Sequence, residues 1–162
     1  MNVGDIVLCH SKGIIGAAIR FAERHDEASK YAKWNHVAIL DRQENGVWYI
    51  IQAEAKGVTN DKTLDSVAPG GVYEVISLPA SVNRDKFLEF ARSQVGATYG
   101  YLSILSCAVD LVLPDTICLR KADTWICSAL VAGSLLFGGF PGACKWPDLY
   151  TVTPAQVAQA CA

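Results

Sequence analysis

The chain has 162 residues, of which 51% are hydrophobic and 19% charged. That is too apolar for a disordered chain, and its length is close to the ~150 residues of one domain, so a single domain over 1–162 is expected. Fourteen basic against sixteen acidic residues leave a net charge of −2, which argues against the basic footprint of a nucleic-acid-binding protein.

The elements follow in chain order. After a Gly4-Asp5 turn, Ile6-Val7-Leu8-Cys9 reads as a short apolar strand. Ile14, Ile15, Ala18, Ile19 and Ala22 share one face at helical spacing, and the segment then decays into a charged loop over 23–33. A hairpin is predicted next. His36-Val37-Ala38-Ile39-Leu40 leads into an Asn45-Gly46 turn, and Val47-Trp48-Tyr49-Ile50-Ile51-Gln52-Ala53 returns from it. Polar residues 59–66 and Pro69-Gly70-Gly71 read as loops before a strand over 72–78.

The second half reads as helical. Ser81 or Asn83 caps a helix bearing Phe87, Leu88, Phe90, Ala91 and Val95, which Gly96 stops. A helix is predicted over 99–113, ended by Pro114, and another over 124–137, ended by Gly138-Gly139. Thr153-Pro154-Ala155-Gln156 carries an N-cap, a proline at the first helical position and a glutamine at the third, and so opens a last helix. Strands and helices segregated in this way predict an α+β fold, with a small antiparallel sheet packed on helices.

No basic region followed by an apolar run opens the chain, so synthesis in the cytoplasm without a signal peptide is expected. The most apolar stretch, 101–113, is shorter than the ~20 residues of a membrane-spanning helix and contains Ser103, Ser106 and Asp110. No transmembrane segment is therefore predicted. The six cysteines, Cys9, Cys107, Cys118, Cys127, Cys144 and Cys161, form no C-x-x-C pair. They read mostly as reduced core residues, with no metal and no organic cofactor implied.

Cysteine catalysis needs a thiolate, an imidazole beside it and a group that orients the ring. With Asp123 or Thr124 as N-cap, Cys127 falls in the first turn of its helix, where free N–H groups and the macrodipole favour a thiolate. Position alone leaves it equally a buried core cysteine. Of the three histidines, His36 opens a strand that can anchor it, whereas His10 and His25 lie among polar residues and read as surface groups. Gln52 and Glu54 share a face of the returning strand, and either could hold the ring; taken alone, both are equally well read as solvated edge residues.

The order of the segments adds information. Gly4-Asp5-Ile6-Val7, Asn35-His36-Val37-Ala38-Ile39, Trp48-Tyr49-Ile50-Ile51-Gln52-Ala53 and Trp125-Ile126-Cys127-Ser128-Ala129-Leu130-Val131 occur in that sequence. The arrangement resembles the circularly permuted branch of the NlpC-type papain-like cysteine hydrolases, which includes YiiX-like and YebB-like proteins and sets the histidine strand before the cysteine helix. Gly96-Ala97-Thr98-Tyr99 and Val152-Thr153-Pro154 are similar to further short motifs of that branch. Two features depart from it. Gln52 stands where many members carry Glu, and 101–120 is a longer apolar insertion than the family pattern predicts.

The resemblance implies a permuted papain-like fold and a cysteine hydrolase cleaving an amide, with a peptide bond of peptidoglycan as the leading substrate. Cys127 would be the nucleophile, His36 the base and Gln52 the orienting group; the backbone N–H of Cys127 would bind the oxyanion, with the Tyr99 side chain a weaker donor. It leaves open a lipid-directed acyl hydrolase or acyltransferase with 101–113 lining an acyl groove, and a non-catalytic virion or binding component of the same fold. Reaching a cell wall without a signal peptide would require a virion or a secretion machine as partner.

Overall fold

The computed structural model describes residues 1–10, 31, 33–99 and 124–162. The helix expected near 14–22, the helix expected over 99–113, His25, Cys107 and Cys118 all lie wholly or mainly outside these residues.

Five strands form one antiparallel sheet: β1 (Ile6–Cys9), β2 (His36–Glu44), β3 (Val47–Glu54), β4 (Gly57–Thr63) and β5 (Tyr73–Ile76), in the order β4-β3-β2-β1-β5. The β2–β3 hairpin turns at Asn45 and Gly46, both with positive φ (50° and 81°), the backbone that a tight two-residue turn demands. Helix α1 (Leu64–Val67) follows β4, with Thr63 as its N-cap accepting from the Ser66 N–H. Then come α2 (Arg84–Ser93), capped by the Asn83 side chain, α3 (Cys127–Phe137) and α4 (Pro154–Cys161). Helix α4 carries the complete capping box between Thr153 and Gln156. The described residues thus form an α+β fold around a small antiparallel sheet.

Helix α3 is the core element, buried at every position from Cys127 to Leu135. Its Leu130, Val131 and Leu135 join Ile6, Leu8, Val37, Ile39, Ile51 and Ala53 from one sheet face, and Phe87 of α2. The opposite face carries Val7, Cys9, Ala38, Leu40 and Ile50 under Leu64 and Ala68. A sheet apolar on both faces accounts for the unbroken hydrophobic runs in β1 and β2, where a one-sided sheet would alternate. Burying a further polar group then needs a partner. Asp41, 3% exposed, is held by Arg92 Nε at 2.8 Å and by Arg42 at 3.0 Å, which fastens α2 to β2.

Three expectations are corrected. Residues 59–66, expected to be a loop, form most of β4 and the start of α1. An edge strand exposes one side, so β4 has the polar composition that reads as loop. The helix expected from 124 starts instead at Cys127, with Ile126 as N-cap, because Thr124–Trp125 forms a short strand (β7). That strand pairs in parallel with Thr98–Tyr99 (β6), so Tyr99 also belongs to a strand, not to a helix start. This second ladder is tied to the main sheet through β4. Val58 N–H donates to the Ala97 carbonyl and Gly96 N–H to the Val58 carbonyl, each at 2.9 Å. Gly57, with φ of 109°, lies so close to the same carbonyl that an added Cβ would come within 2.4 Å of it.

Candidate active site

At one end of the sheet, β1 finishes at Cys9, β2 starts at His36 and β3 finishes at Glu54. Cys9 and His36 are directly paired in the β1–β2 register. The N-terminus of α3 meets this end and delivers Cys127 to it. The thiol hydrogen-bonds the His36 side chain and the backbone of Val37.

His36 also reaches the other way. Its Nε2 lies 2.7 Å from Gln52 Oε1. The Ile39↔Ile51 pairing, continued toward the start of β2, sets Glu54 opposite His36 and Gln52 two positions along β3 on the same face. A diagonal neighbour of this kind is within reach of a long side chain. The ring turns to this diagonal neighbour: Gln52 bonds it, and Glu54 acts on it only through charge. An Oε1 acceptor requires a proton on Nε2, so neutral His36 presents the lone pair of Nδ1 for the bond to Cys127.

All three side chains are buried: His36 is 7%, Cys127 3% and Gln52 1% exposed. Burial opposes both charged forms, yet His36 is held above its ordinary range. The Cys127 charge and hydrogen bond, the Gln52 bond and the Glu54 charge together outweigh desolvation. Cys127 moves the other way. Desolvation would raise it, but the charge and hydrogen bond of His36, with hydrogen bonds from the backbone of Val37 and Ser128, hold the thiol below its ordinary value. The pair is thus tuned toward thiolate and imidazolium.

The start of α3 contributes directly. The N-cap is Ile126, which makes no side-chain capping bond. The first-turn N–H groups of a helix have no intrahelical acceptor, and here the Ser128 N–H turns to the Cys127 sulfur. The thiolate takes the place of a capping side chain, at the positive end of the macrodipole. The Cys127 N–H belongs to the same first turn, whose N–H groups have no intrahelical acceptor.

The sequence-derived trio of Cys127, His36 and Gln52 therefore meets in one hydrogen-bonded chain. Glu54 stays at its margin. His10 is exposed and tilts against Trp34 with ring centroids 5.1 Å apart. The side chain of Tyr99 lies outside what is described. Two contributors escaped the sequence reading, namely the backbone donors of Val37 and Ser128, because a main-chain group carries no residue signature. Cys9 is a third neighbour. Burial and then the Cys127 charge push its thiol up to about 12, so it stays protonated beside the reactive one.

Among the described residues, no group of three or more His, Cys, Asp or Glu could hold a metal ion. Among them too, no helix is long and apolar enough to cross a membrane. No protein-family model and no curated protein matches this chain.

Proposed function

We propose that the protein is a cysteine hydrolase of permuted papain-like architecture that cleaves an amide, with a peptide bond of peptidoglycan as the leading substrate. The observation that carries this reading is the buried chain from Cys127 through His36 to Gln52, closed by the 2.7 Å contact at His36 Nε2. A structural cysteine has no need of an imidazole on its sulfur, nor that imidazole of a buried amide behind it. The chain order supports the permuted arrangement, with the histidine strand β2 and the glutamine strand β3 preceding the cysteine helix α3.

On this reading the Cys127 thiolate attacks the scissile carbonyl and forms a tetrahedral oxyanion, which the N–H at the start of α3 receives. His36 gives its Nδ1 proton to the leaving amine as the C–N bond breaks, and an acyl-cysteine remains. The now neutral imidazole takes a proton from water, whose oxygen attacks the thioester. Collapse releases the acid and regenerates the thiolate–imidazolium pair. Gln52 keeps Nε2–H engaged throughout, so that Nδ1 alone exchanges protons with the reacting groups.

The test is incubation with purified sacculi and, in parallel, with acyl-lipid substrates, followed by mass spectrometry of the products. New peptide ends in the sacculi, absent with Cys127→Ala, are the expected result. Release or transfer of acyl groups from lipid would reassign the substrate while keeping the trio. No Cys127-dependent product from either would favour a non-catalytic role.

A further inference from the structure

Gln52 uses only one end of its amide. Oε1 meets His36, while Nε2 is buried and has no hydrogen-bond partner among the described residues. The second buried side-chain atom without one is Thr59 Oγ1. These two atoms are not scattered, because Gln52 and Thr59 are directly paired in the β3–β4 register. Opposite residues of an antiparallel pair project to the same face, with Cβ atoms about 4.5–5.5 Å apart. One spare donor thus stands beside one spare hydroxyl.

The pairing bears on His36. An amide turned by 180° exchanges its acceptor and donor ends. Turned, Gln52 would present N–H groups to His36 Nε2, which would then have to be the bare nitrogen. The ring proton would move to Nδ1, on the Cys127 side, and a neutral imidazole could no longer accept the thiol proton. Holding the observed orientation requires an acceptor for the buried NH₂ end, and the Thr59 hydroxyl is the group in register to supply it.

We infer that Thr59 is a positioning residue for the site: its Oγ1 and Gln52 Nε2 are joined across one bridging water, which accepts the amide N–H and donates to the hydroxyl oxygen, and so keeps the Gln52 carbonyl on His36 Nε2. The inference rests on the cysteine-hydrolase reading only for its effect on turnover, since the tautomer of His36 can be read without a substrate. In Thr59→Val the amide NH₂ faces a methyl group. The strain is relieved by turning the amide, which leaves a carbonyl oxygen as the less demanding orphan and lets an N–H find the bare ring nitrogen.

The experiment is ¹⁵N NMR of the His36 ring in the full chain carrying Cys127→Ala, at a pH where the imidazole is neutral. With Thr59 present, the Nε2–H tautomer should dominate. Thr59→Val should raise the Nδ1–H population at least about fivefold, the lower end of what one unpaired buried donor implies. Thr59→Ser, which keeps the hydroxyl, should restore the original spectrum. An unchanged tautomer ratio in Thr59→Val would overturn the inference. Should that variant fail to fold, the Cys127→Ala chain still decides the matter. Slowly exchanging Gln52 carboxamide protons with cross-peaks to the Thr59 side chain are expected, and rapidly exchanging protons without them would refute it. A shifted tautomer in a protein that cleaves neither sacculi nor acyl lipids would leave Thr59 standing and remove the hydrolase reading.

Discussion

The reactivity of Cys127 can be tested without knowing the substrate, by competition among the cysteines for iodoacetamide at pH 7. The informative comparison is with Cys161, which is half-buried and so more accessible than Cys127, but whose thiol burial pushes up to about 12. At pH 7 such a thiol is ~10⁻⁵ ionised, against ~10⁻² for one at the ordinary 9.0, a ratio of ~10³ in thiolate population. The more basic thiolate is intrinsically the better nucleophile. With a Brønsted coefficient of about 0.4–0.5 over about three units, this returns ~10^1.2–10^1.5 of the ratio. What remains is about 30- to 60-fold in favour of a thiol at the ordinary 9.0, and His36, Val37 and Ser128 hold the Cys127 thiol below that value, toward the pH of the assay. Access works in the opposite direction, so faster labelling of Cys127 cannot be a matter of exposure. Timed alkylation followed by peptide mass spectrometry should show Cys127 modified first of the two, and His36→Ala should slow Cys127 at least tenfold while leaving Cys161 unchanged. Equal rates at Cys127 and Cys161, or a Cys127 rate indifferent to His36→Ala, would refute the electrostatic argument.

Turnover of the cleaved substrate should fall by at least ~10²-fold in His36→Ala, the loss expected on removing a general base, and change little in His10→Ala, whose ring only leans on Trp34. Gln52→Ala should lower kcat more than Glu54→Ala does, since Gln52 bonds the ring and Glu54 acts by charge alone; the reverse ranking in a kcat comparison would hand the orienting role to Glu54. In a ¹H–¹⁵N titration, His36 should lose its proton above pH 6.5 in the wild type and at lower pH in Cys127→Ala, because removing the thiolate takes away the largest influence that opposes desolvation; an unchanged midpoint would mean that the two groups do not interact. Gly57→Ala should destabilise the fold by about 2 kcal/mol or more in urea melts, from a side chain forced to positive φ and a Cβ driven to 2.4 Å from the Ala97 carbonyl; a neutral result would show that the β4–β6 junction yields easily.

Local features of the chain are where sequence reasoning reached furthest. The β2–β3 hairpin was legible because Asn45-Gly46 supplies two residues able to take positive φ. The last helix was legible because Thr153, Pro154 and Gln156 satisfy its first turn among themselves. His36, Gln52 and Cys127 could be nominated from strand parity and segment order, since alternation along a strand is set by the backbone. Decisions that rest on long-range partners were not legible in the same way. Polar β4 reads as a loop until β3 supplies its hydrogen bonds. The start of α3 moved to Cys127 because Thr124–Trp125 is claimed by a parallel partner, Thr98–Tyr99, twenty-six residues earlier. The choice between Gln52 and Glu54 depended on the register of β3 against β2 and on which way the His36 ring turns in the folded chain. Cys127 shows the division most clearly. Its residue type offers a thiol, but whether that thiol ionises depends on an imidazole ninety-one positions away and on main-chain N–H groups of Val37 and Ser128. Electrostatics acts through space, and only the folded chain sets those distances.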